Sequence, residues 1–250
     1  KYKFDWVLDL TGNRYSALFG RCLQPRWLYG FNASPLGFLY DRKIIIEQSR
    51  LNHLREQPYK VLEPVIGEIT IPDIPRPPEA VYSKSEIFDK LKINDSKPVA
   101  VIAPGGGWPE KRWDGESFAE LAKRLQEDGY QTVMTGSPAE RYLCEGICAS
   151  YGVESDILCS GNLDELISLV SAADLFIGND SGGGHLAAAA GCRCFIIFKE
   201  SHNLNFTDAI GKNVTIIDAT EKDISPAKLF ETIVSRKCGR DVRAPGESAN

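Results

Sequence analysis

The sequence predicts an α/β protein built on parallel sheets, and three observations carry that prediction. From about Pro98 onward, short β-rich runs alternate with helical patterns, the rhythm of βαβ units. The runs are continuously apolar, as strands buried on both faces are. The 250 residues, 43% hydrophobic and 25% charged, suffice for one large domain or two modest ones, and no apolar run approaches the roughly 20 residues that cross a bilayer.

Taken in order, "DWVLDL" and "RYSALFGRCL" make a strand and a helix, and "RWLYGF" a second strand. Residues 31–60 offer only a weak helical pattern around Ser49–Gln57. "PDIPRPPE" has four prolines in eight residues, which suits neither a central strand nor a helix interior, so it marks a linker and a domain boundary near residue 75. The expected domains are therefore 1–75 and 76–236, with 237–250 as a tail.

In the second domain "PVAVIAP" is a strand, and "SFAELAKRLQEDG" a helix whose Phe118, Leu121, Ala122 and Leu125 recur at helical spacing. Asp114 is its N-cap, and Gly129 stands just past its end. "YQTVMTG" and "AERYLCEGICASYG" repeat the unit. In "NLDELISLVSAAD" Asn162 and Glu165 have capping-box spacing, and Leu163, Leu166, Ile167 and Val170 form the apolar stripe. "DLFIGND", an Ala-rich helix from about Ser181, "CFIIF", "VTIID" and a helix near Ser225–Arg236 complete the series.

A formal net charge of −5 without a Lys/Arg block excludes the electrostatic footprint of a nucleic-acid binder or a polybasic anchor. The seven cysteines lie in apolar periodic segments and read as reduced, buried thiols. Cys144/Cys148 and Cys192/Cys194 lack the partners of a four-ligand zinc set, so no metal is expected. The chain enters "FDWVLDL", read as an interior strand, directly after Lys1, and further residues are expected upstream.

"FIGNDSGGGHLAAAAG" admits two chemical readings. Ser181 with His185 as nucleophile and base lacks a third group to orient the imidazole, and Asn179 breaks the G-x-S-x-G elbow. As a strand-to-helix turn, the stretch would instead offer backbone N–H groups and a helix dipole to an anion at the carboxyl edge of the sheet. The blander alternative is that its glycines serve helix-sheet packing. Two further loops should share that edge: "APGGGWPEKRW", with Gly105–Gly107, Lys111 and Arg112, and "TGSPAER". The fingerprints of P-loop and standard dinucleotide-binding proteins are both missing.

As a set, "PGGGWPEKRW", "GSPAE", "CSGNLDELISLVSAADLFIGNDSGGGHLAAAAG" and "IIF" resemble, in order and spacing over residues 98–200, glycosyltransferase family 9, the ADP-heptose:lipopolysaccharide heptosyltransferases. "FDWVLDLTGNRYSALFGRCL" is similar to the middle of that family's N-terminal domain, with Thr11 where Gln is usual. "FKESHNLNF" stands where the family usually has F-G-x-T-x-P.

The resemblance implies a GT-B fold of two Rossmann-like domains, the N-terminal one incomplete here. It also implies inverting, metal-independent transfer of a heptose-type sugar from an ADP-sugar to a lipopolysaccharide core or related glycan. Lys111 and Asp180 would be catalytic: Lys111 would stabilise the leaving diphosphate, and Asp180 would hold the donor sugar. Glu140 would contact the adenosine portion. Ser181, Gly182 and Gly183 would give N–H groups to the diphosphate, with His185 packed beneath them. Gly105, Gly106, Arg112 and Gly136 would complete the donor site. No cofactor beyond the donor is implied. The setting would be cytoplasmic, with peripheral contact at the inner membrane, and the base is expected upstream of Lys1. A non-catalytic nucleotide-sugar binding module and an isomerase like the sugar-nucleotide 2-epimerases are the alternatives.

Overall fold

The computed structural model describes residues 2–31, 34–45, 54–76, 78–199, 209–220 and 224–235. Its contacts divide the chain into two units between Asp73 and Ile74. The tail expected at 237–250, Cys238 and most of "FKESHNLNF" lie outside the described residues.

The first unit carries strands β1 (Trp6–Asp9), β2 (Trp27–Phe31) and β3 (Arg42–Ile44) in a parallel sheet of order β1-β2-β3, with helices α1 (Arg14–Cys22) and α2 (Glu56–Ile66). Asp9 closes the first strand-helix turn. Its carboxylate accepts from the Thr11 and Gly12 N–H groups at 2.9 and 3.0 Å, and from the Ser16 and Tyr40 hydroxyls, each at 2.7 Å. Burial pushes this carboxyl up, but the four hydrogen bonds outweigh it and hold the group below its ordinary range. The phenol of Tyr40, buried and facing that carboxylate, is pushed up to about 12. The ring lies over Gly30, where any Cβ would collide with it.

Three expectations for this unit change. The helix expected around Ser49–Gln57 lies at 56–66, and residues 46–53 are outside the described set. Pro58 occupies the first turn, where its missing N–H costs nothing, and Pro64 falls near the end, so two prolines masked a helix that buries Val61. The three residues of β3 are too few to show a period. Cys22, read as buried, is exposed at the end of α1.

The second unit is a six-stranded, wholly parallel sheet: β4 (Val99–Ala103), β5 (Gln131–Thr135), β6 (Asp156–Leu158), β7 (Leu175–Asn179), β8 (Cys194–Phe198) and β9 (Val214–Asp218), in the order β6-β5-β4-β7-β8-β9. Side chains alternate along each strand. Ala100, Ile102, Leu175, Ile177, Phe195 and Ile197 enter one core, with α4 (Gly115–Glu127), α5 (Arg141–Tyr151) and α8 (Pro226–Ser235). Val99, Val101, Phe176, Cys194, Ile196 and Phe198 enter the other, with α3 (Lys84–Leu91), α6 (Leu163–Ala172) and α7 (Gly182–Ala189). Each fully buried Phe or Ile contributes about 1.5–3 kcal/mol, which explains why the central runs admit no polar residue before their ends.

From β4 the chain runs outward through β5 and β6, then returns to place β7 on the other side of β4. The carboxyl ends of β4 and β7 thus form the point where strand order reverses, the position at which open α/β sheets bind ligands. Asp114 caps α4 as expected, accepting from the Ser117 N–H at 2.8 Å, and Gly129 turns the chain at φ +90°.

α6 departs from expectation. Asn162 caps it, but Glu165 does not reach back to the cap's backbone. Its buried carboxylate takes hydrogen bonds from Ser160 Oγ at 2.6 Å and Asn162 Nδ2 at 3.4 Å, and pairs with Lys90 of α3. The buried face of the helix is Glu165, Ser168, Leu169 and Val170, and Leu163 stands exposed.

Candidate functional site

Four strand ends of the second unit surround a cavity of about 860 Å³. The loop after β4 supplies Gly105–Gly107 and Arg112, the loop after β5 supplies Gly136–Glu140, and the loop after β6 supplies Ser160–Leu163. The turn after β7 supplies Ser181–Gly183. Leu158, Leu166 and Leu186 add an apolar wall. The volume lies in the usual range for a small-molecule site.

Glu140 organises the near side. Its Oε2 accepts from the Ser137 N–H and hydroxyl, each at 2.8 Å, and its Oε1 from the Gly106 N–H at 2.9 Å, so one carboxylate joins the loops after β4 and β5. Burial pushes the group up, but the Ser137 and Gly106 hydrogen bonds and the charge of Arg112, 3.8 Å away, hold it below the ordinary carboxylate range. A Cβ on Gly105 would overlap Glu140 Oε1, so only glycine lets the loop pass this close. Arg112 grips the same ribbon from the other side, donating to the Gly106 carbonyl from Nε at 3.0 Å and Nη2 at 2.6 Å.

The far side is the start of α7. Ser181 is its N-cap in extended backbone and makes no side-chain capping bond. Helix geometry leaves the N–H groups of the first turn, at Gly182 and Gly183, without a carbonyl inside the helix, and the dipole adds positive potential there. Gly184 has a different task. A Cβ there would come within 2.8 Å of Ile196 Cδ1, so this glycine seats α7 on the sheet. The packing reading of the glycine run therefore holds at Gly184, while Gly182 and Gly183 line the cavity.

Of the sequence-predicted site residues, Gly105, Gly106, Arg112, Gly136, Glu140, Ser181, Gly182 and Gly183 line the cavity, whereas Lys111, Asp180 and His185 do not. The hydrogen bonds revise what some of them can do. Gly106 gives its N–H to Glu140 and its carbonyl to Arg112, so it forms a braced wall and not an anion donor. His185 Nε2 sits 3.9 Å from Asp180 Oδ1, and the His185 side chain is 45% exposed. It lies outside the packing beneath the turn because Gly184, Ala187 and Ala188 are the residues of α7 that face the sheet. Lys111 ends a short 3-10 turn whose N–H bonds the Trp108 carbonyl at 3.1 Å.

Sequence reasoning missed the loop after β6 and its Leu163–Leu166 wall, and it missed Asn179. Their signals were a Ser-Gly-Asn cluster ahead of a helix and a lone polar residue closing an apolar strand. The cavity suits a ligand with a flat apolar part and an anionic part: leucines on one side, a helix N-terminus on another. Among the described residues no group of three or more His, Cys, Asp or Glu is placed to hold a metal ion, and no helix is long and apolar enough to cross a membrane.

Comparison with known proteins agrees with this architecture. Residues 1–232 match the model of glycosyltransferase family 9 (heptosyltransferase). The chain is 33% identical over 132 residues to lipopolysaccharide heptosyltransferase 2 of Escherichia coli K12, covering 48% of this chain and 38% of that protein. It is 31% identical over 197 residues to lipopolysaccharide heptosyltransferase 3 of the same strain, covering 74% and 56%. These matches thus span 38% and 56% of the relatives' own length.

Among solved structures, E. coli ADP-heptose LPS heptosyltransferase II superimposes with a TM-score of 0.77 at 21% identity, covering 94% of this chain and 76% of that one. E. coli heptosyltransferase WaaC with ADP gives 0.68 at 19% identity, covering 94% and 72%. These likenesses show the fold, the GT-B type with parallel α/β units. With the family model matched over nearly the whole sequence, the chain belongs to glycosyltransferase family 9, the heptosyltransferase family.

Proposed function

We propose that the cavity receives the nucleotide of an ADP-sugar and that the protein is a glycosyltransferase moving a heptose-type sugar to a lipopolysaccharide core or related glycan, with inversion and without a metal. The observation that carries this reading is the pairing, in one cavity of a family 9 chain, of a leucine wall with the first turn of α7. The wall suits a nucleobase, and the turn suits a diphosphate. A neighbouring fold solved with ADP supports the choice of nucleotide.

Loss of ADP builds negative charge on the leaving group, and fixed N–H groups with a nearby ammonium can stabilise it where water is excluded. In this reading Gly182 and Gly183 meet the diphosphate, Lys111 approaches it from the loop after β4, and Asp180 orients the sugar. Glu140 holds the loops that receive the adenosine. The protein works in the cytoplasm, in peripheral contact with the inner membrane where its acceptor lies.

The test is turnover of ADP-heptose on a lipopolysaccharide core acceptor by the full-length protein, with and without EDTA. Lys111→Ala and Asp180→Ala should each lower kcat by about 100-fold, as loss of one transition-state contact does. EDTA should change nothing. Near-wild-type turnover in both variants would contradict the assignment, and loss of activity with EDTA would contradict the metal-independent mechanism.

A further inference from the structure

Asn179, the last residue of β7, is 1% exposed and ends a strand that is otherwise apolar. Its side-chain amide makes three hydrogen bonds, all to backbone. Oδ1 accepts from the Trp113 N–H at 2.8 Å, and Nδ2 donates to the carbonyls of Pro104 and Gly105, each at 3.0 Å. Those groups are the two ends of the loop 104–113, which carries Gly105–Gly107, Lys111 and Arg112. One amide thus pins both ends of that loop to the strand that continues into Asp180, Ser181 and α7. The pattern of two donated bonds and one accepted bond fits Asn: a carboxylate of the same shape has no donor, and Gln is one methylene too long for a close-packed site.

We propose that Asn179 is the positioning residue of this cavity, holding loop 104–113 in the shape that receives the nucleotide, so that nucleotide affinity depends on the donor and acceptor pattern at residue 179. This deepens the reading of the cavity as a nucleotide site and rests on it.

Asn179→Asp tests it, because the substitution keeps the shape and sets an oxygen against two carbonyls. ADP affinity is measured by calorimetry for the wild-type protein and the variant between about pH 5.5 and pH 8, alongside hydrogen exchange of the amides in loop 104–113. The charged groups around the loop, Arg112, Glu140, Asp114, Asp180 and His185, are the same in both proteins, so the ratio of affinities isolates residue 179. At pH 8 the variant should bind ADP about tenfold more weakly, as expected when buried hydrogen bonds are lost. The ratio should narrow as pH falls, because a buried carboxyl facing carbonyls takes up a proton and then donates to one of them.

Exchange should accelerate in loop 104–113 and not across the sheet. Equal affinities at pH 8, or a deficit that stays constant with pH, would overturn the proposal. Where N179D does not fold at pH 8, Asn179→Ser replaces it. That variant keeps a hydroxyl donor and should show weakened ADP binding with local acceleration of exchange. Unchanged affinity in N179S would overturn the proposal as well. Failure of the wild-type protein to bind ADP would instead sink the nucleotide reading. The clamp would then be judged by exchange alone, supported by acceleration confined to loop 104–113 and refuted by a uniform effect.

Discussion

At the scale of single residues, the cavity depends on atoms that are missing as much as on those present. Gly105 passes Glu140 so closely that a methyl group would displace the carboxylate. That carboxylate holds Gly106 and Ser137 together. Gly105→Ala should therefore weaken ADP binding by about tenfold, the cost of leaving buried hydrogen bonds unmade, with a smaller effect on the melting temperature. Gly107→Ala, at a position with nothing within 4 Å of the added Cβ, is the control and should bind as wild type. Calorimetric titration of both variants distinguishes a required close approach from general loop stiffening.

The residue scale is also where sequence reading reached least far. Gly105–Gly107, Arg112 and the glycines after Ser181 were legible as edge residues from strand-loop-helix punctuation, and Glu140 and Gly136 from the family resemblance. That Glu140 accepts from the Gly106 N–H of another loop was not, because a bond between loops distant in sequence leaves no local pattern. Asn179 was hidden for the same reason: its three partners lie more than sixty residues away along the chain.

At the scale of elements, caps and periods set the boundaries, and buried polar groups tie one element to the next. Asp9 joins the end of β1 to α1 through Ser16 and to the turn before β3 through Tyr40. Its folded-state pKa lies below the unfolded value of about 3.9, so its stabilisation is complete above that value and is lost as pH falls through the lowered folded pKa. Asp9→Asn keeps the shape but cannot ionise, and it puts an amide where two N–H groups and two hydroxyls donate. Urea unfolding of the variant should give about 1–3 kcal/mol less stability at pH 7, with a smaller loss between pH 5 and pH 2 than in wild type. Equal acid slopes would show that Asp9 has an ordinary pKa in the folded protein.

Most strands and helices of the second unit were readable because both signals were strong: continuously apolar strands and helices with clear apolar stripes between capping residues. α3 and the three-residue β6 were not read, the strand being too short to show a period. The first unit was readable only up to β2. β3 is three residues long, and α2 carries Pro58 and Pro64, so period and punctuation pointed away from structure that packing supplies. In α6 the capping-box spacing misled, since Glu165 found partners in Ser160 and Lys90 across the fold.

At the scale of the whole molecule, one chain reversal in the second unit determines where chemistry can occur. Placing β7 beside β4 brings two glycine-bearing turns together at the carboxyl edge, while β5 and β6 extend the same edge into an apolar wall. The alternation of strands and helices predicted a parallel sheet but not its strand order, which arises from contacts of long sequence separation. The central claim is that this edge is a nucleotide site whose anion donors are at α7 and whose loop after β4 is a braced wall. A crystal structure of the protein with ADP tests it most directly. The account predicts diphosphate oxygens within hydrogen-bonding distance of the Gly182 and Gly183 N–H groups, adenine against Leu163 and Leu166, and Glu140 still bonded to Gly106. A diphosphate seated on the Gly106 N–H with Glu140 displaced, or a nucleotide bound away from this edge, would contradict it.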